Sequence, residues 1–337
     1  MRCIPIVSFG EAKTLKVCEL SPSEIKQKET LADDEVLIEV HYSGINFADI
    51  VMRLGFYPDA PPRPFVPGYE VSGVVKKIGA KVGNCNIGDK VYAGTFFGGH
   101  SDYVKIPQWQ VLKLPAHLGL EQAAGVPVAF ITAYNAFFRM GRVQDGDKIM
   151  LDCASGGVGS MALFLLKGMK VDVLGLTSSP SKKSSIEKWG ARAMTHEEFA
   201  KSNELDFNFI LNSQGGKSIR KHFSHLAPTG RIVCLGVSEG IKEGKRDYLQ
   251  ILKTVISMPR FSVMELFNHN KGVFALNALH LMENQEWIKK RMADFNIIEE
   301  KKIVPFIGEI YQAEDVAQAH KALENKKVTG KVLLQWR

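Results

Sequence analysis

Long apolar runs are missing from this chain. None of its 337 residues lies in a stretch of the ~20 apolar residues that a membrane-spanning helix needs. The nearest, AAGVPVAFITAYNAFF (123–138), is interrupted by Pro127 and Asn135, so no integral membrane insertion is expected. The amino-terminal MRCIPIVSFGEAK has no secretory apolar core, which gives a cytoplasmic expectation. Cysteine is scarce: Cys3, Cys18, Cys85, Cys153 and Cys234 are scattered, with no pair at metal-ligand spacing. Free thiols in a reducing compartment are expected. Acid is outnumbered, 36 Asp and Glu against 43 Lys and Arg, for a net charge of +7. The excess is spread along the chain and no nucleic-acid motif accompanies it. A phosphate-bearing small ligand, or simple solubility, explains it better than nucleic acid does.

What is present is a soluble composition, 45% hydrophobic and 23% charged, in a chain long enough for two domains. Up to about residue 120, short alternating runs lie between Gly and Pro punctuation. EVLIEVHY (35–42), YEVSGVVKKIG (69–79), DKVYAG (89–94) and DYVKIPQWQVLKLP (102–115) predict strands of a β-rich unit. PPRPFVPG (61–68) predicts a stiff irregular loop, because its prolines exclude helix and central strand alike. Thereafter KIMLDCA (148–154), VDVLGL (171–176), FNFILN (207–212) and RIVCLG (231–236) recur between helix-like segments. Apolar runs alternating with amphipathic ones predict βαβ units and a parallel sheet. AEDVAQAHKALENK (313–326) predicts a helix and GKVLLQW (330–336) a final strand.

Between KIML and MALFLL lies DCASGGVGS (152–160), a run almost without side chains. Ala154, Gly156 and Gly159 take the places of a G-x-G-x-x-G turn, with Ala for the first glycine. A bare backbone there, including Gly157 and Val158, lets amides at a helix start approach a pyrophosphate. The plain alternative is a tight turn that binds nothing. About twenty residues on, an NAD site carries an acid for the ribose hydroxyl. GLTSSPSKK (175–183) has none; it offers Ser178 and other hydroxyls, then Lys182. Such groups would hold a 2′-phosphate, so NADPH is expected rather than NADH. Cys153 reads as an inert small hydrophobe of a buried strand, and the basic KEGKRD (242–247) as a solvated loop. His196, His222, His225 and His269 have no spacing that argues for ligation or catalysis.

SGINFADIVMRLGFYP, PFVPGYEVSGVV, GDKV, TAYNAF, ASGGVG and TGKVLL together resemble the zinc-independent medium-chain dehydrogenase/reductases. The resemblance is to their quinone oxidoreductase branch, and within it to the vesicle amine transport protein 1 group. It implies an α/β fold: a GroES-like, β-rich catalytic domain (1–124 and 263–337) with an inserted Rossmann, doubly wound parallel-sheet domain (125–262). It also implies an active site in the cleft between domains and a homodimer. Zinc-dependent relatives have Cys and His where this sequence has Asn46 and Tyr69, and four clustered cysteines where it has only Cys85. No metal site is expected.

Without a Lewis acid, an acceptor already activated by conjugation is the easier substrate. The expectation is an NADPH-dependent reductase of quinones or α,β-unsaturated carbonyls. The resemblance implies catalytic roles for Asn46, Asp49 and Tyr57, with Asn46 hydrogen-bonded to the cofactor or the substrate carbonyl and Tyr57 a donor near the developing oxyanion. It implies cofactor contacts for Thr132, Gly236, Phe274 and Asn277; Ala275 and Asn212 stand where relatives often have Gly and Asp. Structural roles remain open for each: a turn for Asn46, packing for Tyr57, a helix-interior hydroxyl for Thr132. An alternative function is an NADPH-binding module with a lipid- or partner-binding role and little turnover, motivated by the family and by FSVMELF (261–267). That stretch reads more simply as buried or as a dimer interface.

Overall fold

The computed structural model describes residues 1–236, 238–241 and 244–337. The chain forms two compact units: Met1–Val128 with Glu243–Arg246 and Leu279–Arg337, and Ala129–Lys242 with Asp247–Ala278.

In the first unit, β1 (Arg2–Cys3) and β2 (Cys18–Glu19) make a small antiparallel pair. The main sheet uses β3 (Glu35–Ile45), β4 (Glu70–Ile78), β5 (Lys90–Gly94), β6 (Tyr103–Pro107) and β7 (Val111–Lys113). β3 pairs with β4 and β6, β4 with β5, and β5 with β7, all antiparallel. The single run expected over 102–115 is two strands. Pro107 lacks an amide to extend the ladder, and the one-turn helix Gln108–Gln110 follows it. The loop 61–68 is irregular as expected, with Phe65 bridged only to Ile6.

The second unit holds β8 (Lys148–Leu151), β9 (Asp172–Thr177), β10 (Arg192–Thr195), β11 (Phe207–Asn212), β12 (Leu226–Cys234) and β13 (Gly272–Ala275). All are parallel, in the order β10-β9-β8-β11-β12-β13. Helices Gly157–Leu166, Lys183–Lys188 and Ser218–Ser224 lie on the connections. The central strands are apolar on both faces: Ile149, Met150, Phe209 and Ile210 are fully buried. Each such side chain contributes about 1.5–3 kcal/mol relative to exposure. Strand order reverses between β8 and β11, the switch point where open sheets of this kind bind ligands.

The chain then returns to the first unit. β14 (Ile307–Gln312) lies parallel to β15 (Lys331–Gln335), and β15 joins β3 antiparallel, giving β14-β15-β3-β4-β5-β7. The sequence reading ends the parallel-sheet domain at residue 262. The compact unit runs on to Ala278 because β13 adds a sixth strand beside β12. No helix among the described residues is long and apolar enough to cross a membrane.

Candidate active site

In the second unit the small-residue run makes the turn between β8 and the ten-residue helix Gly157–Leu166, with Gly156 as its N-cap. Two of its glycines have different causes. A Cβ on Gly159 would stand 2.2 Å from the Cys153 carbonyl oxygen and 2.6 Å from Ala154 Cα, so the backbone tolerates none. A Cβ on Gly156 would meet nothing nearer than that oxygen at 3.7 Å. Gly159 is bare for packing, while Gly156 is bare beside open space. Gly236, just past β12, also faces open space. Ala154 is fully buried and its amide donates to the Leu176 carbonyl at 3.1 Å, tying the turn to β9. Gly157 and Val158 are half-buried at the helix start.

After β9, Ser178 is exposed and Lys182 is only 7% exposed, in the one-turn helix Pro180–Lys182. Lys183, next to it, pairs on the surface with Glu198. Thr132 is buried on the helix Pro127–Tyr134. Phe274 lies on β13 at the sheet edge, 41% exposed, and Asn277 is exposed after it.

One expectation changes here. Cys153 is exposed in the turn, because β8 ends at Leu151. Asn212 holds a turn together: its amide nitrogen donates to Ser218 Oγ and His222 Nδ1, and its oxygen accepts from Gly215 N. Beside it Asp152 is fully buried and accepts from Ser213 N, Ser213 Oγ and Gln214 N. Burial pushes that carboxyl up, while those donors oppose the rise. In KEGKRD, Lys245, Arg246 and Asp247 are exposed and Gly244 is buried; residues 242 and 243 lie outside the described residues.

In the first unit Asn46 caps the helix Phe47–Arg53, its amide N–H donating to Asp49 Oδ2 at 2.7 Å. Its side chain is engaged at both ends. Nδ2 donates to Glu70 Oε1 at 2.9 Å, and Lys331 Nζ donates to Oδ1 at 2.6 Å. Lys331 also pairs directly with Glu70, and both are buried. The second Glu70 oxygen accepts from Val128 N at 2.8 Å. Spacing could not reveal this cluster, since Lys331 lies 285 residues from Asn46.

Asp49 is fully buried and also accepts from Gly68 N at 3.1 Å, with His100 Nε2 at 3.7 Å from Oδ2. Burial opposes its charge, but His100 and the Asn46 amide hold the carboxyl below its usual range. It therefore stiffens the turn from inside. Tyr57 is half-buried, its ring 6.4 Å from that of Tyr69 at 52°. Burial raises the Tyr57 phenol and the Tyr69 hydroxyl partly offsets the rise. Tyr69 was missed as a site residue. It is 6% exposed, and its hydroxyl sits against that of Tyr57.

The donor set at Asn46 does not fit zinc. Its oxygens already accept from Lys331, Asn46 and a backbone amide, and the buried Lys331 ammonium paired with Glu70 repels a dication there.

Two family profiles match the chain: "Alcohol dehydrogenase GroES-like domain" over residues 32–116 and "Zinc-binding dehydrogenase" over residues 191–334. A zebrafish (Danio rerio) synaptic vesicle membrane protein VAT-1 homolog is 29% identical over 321 residues. That alignment covers 92% of this chain and 66% of the relative, so the chain spans about two thirds of its length. Human quinone oxidoreductase is 27% identical, with 99% and 97% of the two chains covered. The structure of the quinone oxidoreductase from Thermus thermophilus, described with its NADPH complex, superposes with a TM-score of 0.78. It is 26% identical, over the full length of both chains. With both units, the strand order and the motifs of the two clusters in agreement, the chain belongs to the medium-chain dehydrogenase/reductases, on their quinone oxidoreductase branch.

Proposed function

We propose that this protein is an NADPH-dependent reductase of quinones or α,β-unsaturated carbonyls, acting by hydride transfer without a metal ion. The observation that carries the proposal is the open space at Gly156, beside the start of a ten-residue helix at the sheet's switch point. The NADPH complex described for the Thermus enzyme supports it.

When bound, the nicotinamide supplies the hydride. The amides at Gly157 and Val158 would hold the pyrophosphate; Gly156, whose own amide donates to the Cys153 carbonyl at 3.3 Å, leaves room for its approach, and Ala154 and Gly159 keep the turn tight enough to present the amides. Ser178 and Lys182 hold the 2′-phosphate by charge-assisted hydrogen bonds. Thr132, Gly236, Phe274 and Asn277 bound the rest of the cofactor. Asn46 and Asp49 act as positioning residues. They fix the turn that leads to Tyr57, whose raised phenol stays a neutral donor through neutral pH. Its hydroxyl stabilises the oxyanion that develops on the acceptor, and solvent completes protonation.

NADPH should quench intrinsic fluorescence at least tenfold more tightly than NADH, and Lys182→Ala should erase the difference. Equal affinity of the wild-type protein for both cofactors would refute the assignment of Ser178 and Lys182. A screen of NADPH oxidation against quinones, enones and enoyl thioesters identifies the acceptor.

The homodimer is proposed to form along β13, a sheet edge, with exposed apolar residues on the helix just before it that nothing among the described residues covers. Val263 is 82% exposed, Met264 64% and Phe267 71%, while Phe261 and Leu266 pack against the core. Of the two simple expectations for FSVMELF, burial does not hold for those three residues. These exposed residues, and Leu249, Leu252 and Ile256, exposed on the helix Tyr248–Ile256, favour the second reading, a lipid- or partner-binding module. Flotation of the protein with liposomes, together with NADPH binding but no turnover in the screen, would establish that reading instead.

A further inference from the structure

We propose that Cys3 and Cys18 form a reversible dithiol, closed to a disulfide by a low-molecular-weight disulfide such as glutathione disulfide. The pairing register carries the inference. β1 and β2 are antiparallel, with Arg2 opposite Glu19 and Cys3 opposite Cys18. The Leu20 amide donates to the Met1 carbonyl at 2.8 Å, which makes Met1/Leu20 a hydrogen-bonded pair. Pairs alternate along an antiparallel ladder, so Cys3/Cys18 is hydrogen-bonded too, and directly opposed side chains leave on one face. Cα atoms in such a pair stand ~5.5 Å apart, inside the range that disulfides span. Their Cβ atoms stand ~4.5–5.5 Å apart, against about 3.8 Å in a disulfide. Closure must therefore draw the strands together. β2 belongs to a two-stranded sheet and both its residues are exposed, so it can move. The residual strain makes the bond easier to reduce than a structural disulfide, which is why it is reversible.

The two thiols have different tasks. Cys18 is exposed and Cys3 is 3% exposed. Burial pushes the Cys3 thiol up to about 11, partly opposed by the Lys28 ammonium. Lys28 is held there by Ser101 Oγ at 3.2 Å and the Tyr103 carbonyl at 2.6 Å. The Cys18 thiolate attacks one sulfur of glutathione disulfide, giving a mixed disulfide and releasing one glutathione thiolate. The Cys3 thiolate then attacks the Cys18 sulfur and releases the second. The protein loses two protons and two electrons, and one glutathione disulfide becomes two glutathiones. The closed loop would fasten Phe9, whose ring lies against Gly55 and 4.1 Å from the Arg63 guanidinium, behind the loop that carries Tyr57.

The test treats the full chain with glutathione disulfide at about pH 8 and follows intact mass and non-reduced peptide maps. The expected product has lost two hydrogens and links the peptides of Cys3 and Cys18. Closure should speed up about tenfold per pH unit from about pH 7 to 9, because the Cys3 thiolate is rare throughout that range. Reduced glutathione in excess should reopen the bond. Cys3→Ser should keep the glutathionyl group on Cys18, with no link from Cys18 to another cysteine in the peptide map. A wild-type protein that keeps that adduct without closing, a link to any other cysteine, or a bond that resists reduced glutathione would each overturn the proposal. The wild-type map decides it even if a variant fails to fold, and none of these readouts depends on turnover.

Discussion

Gly156 and Gly159 are three residues apart in one turn, and a methyl group separates their roles. At Gly159 an added Cβ meets backbone at 2.2 Å, so Gly159→Ala must displace the helix or the turn. It should lower stability by about 1–3 kcal/mol, read as a fall in the urea midpoint. At Gly156 the nearest atom is 3.7 Å away, so Gly156→Ala should leave the midpoint nearly unchanged. It should weaken NADPH about tenfold or more by standing where the phosphate must approach. Asn46 predicts the opposite pattern. Asn46→Ala leaves buried Glu70 and Lys331 each one hydrogen bond short, costing about 1–3 kcal/mol, with NADPH affinity changed less than about twofold. A large loss of NADPH affinity at unchanged stability would return Asn46 to direct cofactor contact. The glycines were legible in the sequence because their spacing within one turn is the signal. The work of Asn46 was not, since its partners lie 24 and 285 residues away and meet it only in the folded sheet.

Elements were legible in proportion to their apolar content. FNFILN stands out as a buried strand, and β11 spans all of it. β10 and β13 have four residues each, polar or glycine-containing, and their neighbours' ladders rather than their own composition make them strands. That is why the stretch after residue 262 reads as part of the other unit. β13 also shows what an edge strand leaves unfinished. One side pairs with β12, the other has no strand among the described residues, and the helix Val263–His269 just before it in sequence exposes Val263, Met264 and Phe267. Unpaired edges flanked by apolar surface are templates for pairing, and a two-fold mate would satisfy both at once. Sedimentation at micromolar concentration should show a dimer, and Phe267→Glu should give a folded monomer by placing a charge in the apolar patch. A wild-type monomer would leave the surface to a lipid or another protein.

At the scale of the whole molecule, stability against acid should follow two histidines, one in each unit. His222 in the parallel-sheet unit and His320 in the β-rich unit are both buried, and burial lowers each to about 3. His222 spends its Nδ1 on Asn212, whereas neither ring nitrogen of His320 has a hydrogen-bond partner among the described residues. Above about pH 6.5 both rings are neutral in folded and unfolded chain alike, and neither makes stability depend on pH. Below it the unfolded chain takes up protons that the folded chain refuses. Each histidine then removes stability at up to about 1.4 kcal/mol per pH unit, until the folded ring itself titrates near 3. Asp49, held below the usual carboxylate range, adds to the loss only at more acid pH, so the window from about pH 6.5 to 4.5 belongs to the histidines. Urea midpoints should be flat from about pH 8 to 7 and then fall. His320→Leu, which exchanges an unpartnered ring for an apolar side chain, should flatten that fall for the unfolding of the β-rich unit, read from the single tryptophan of its last strand region, Trp336, with the other three replaced by Phe. An unchanged acid slope in that variant would mean that His320 is protonated inside the fold, its charge met by Asp49.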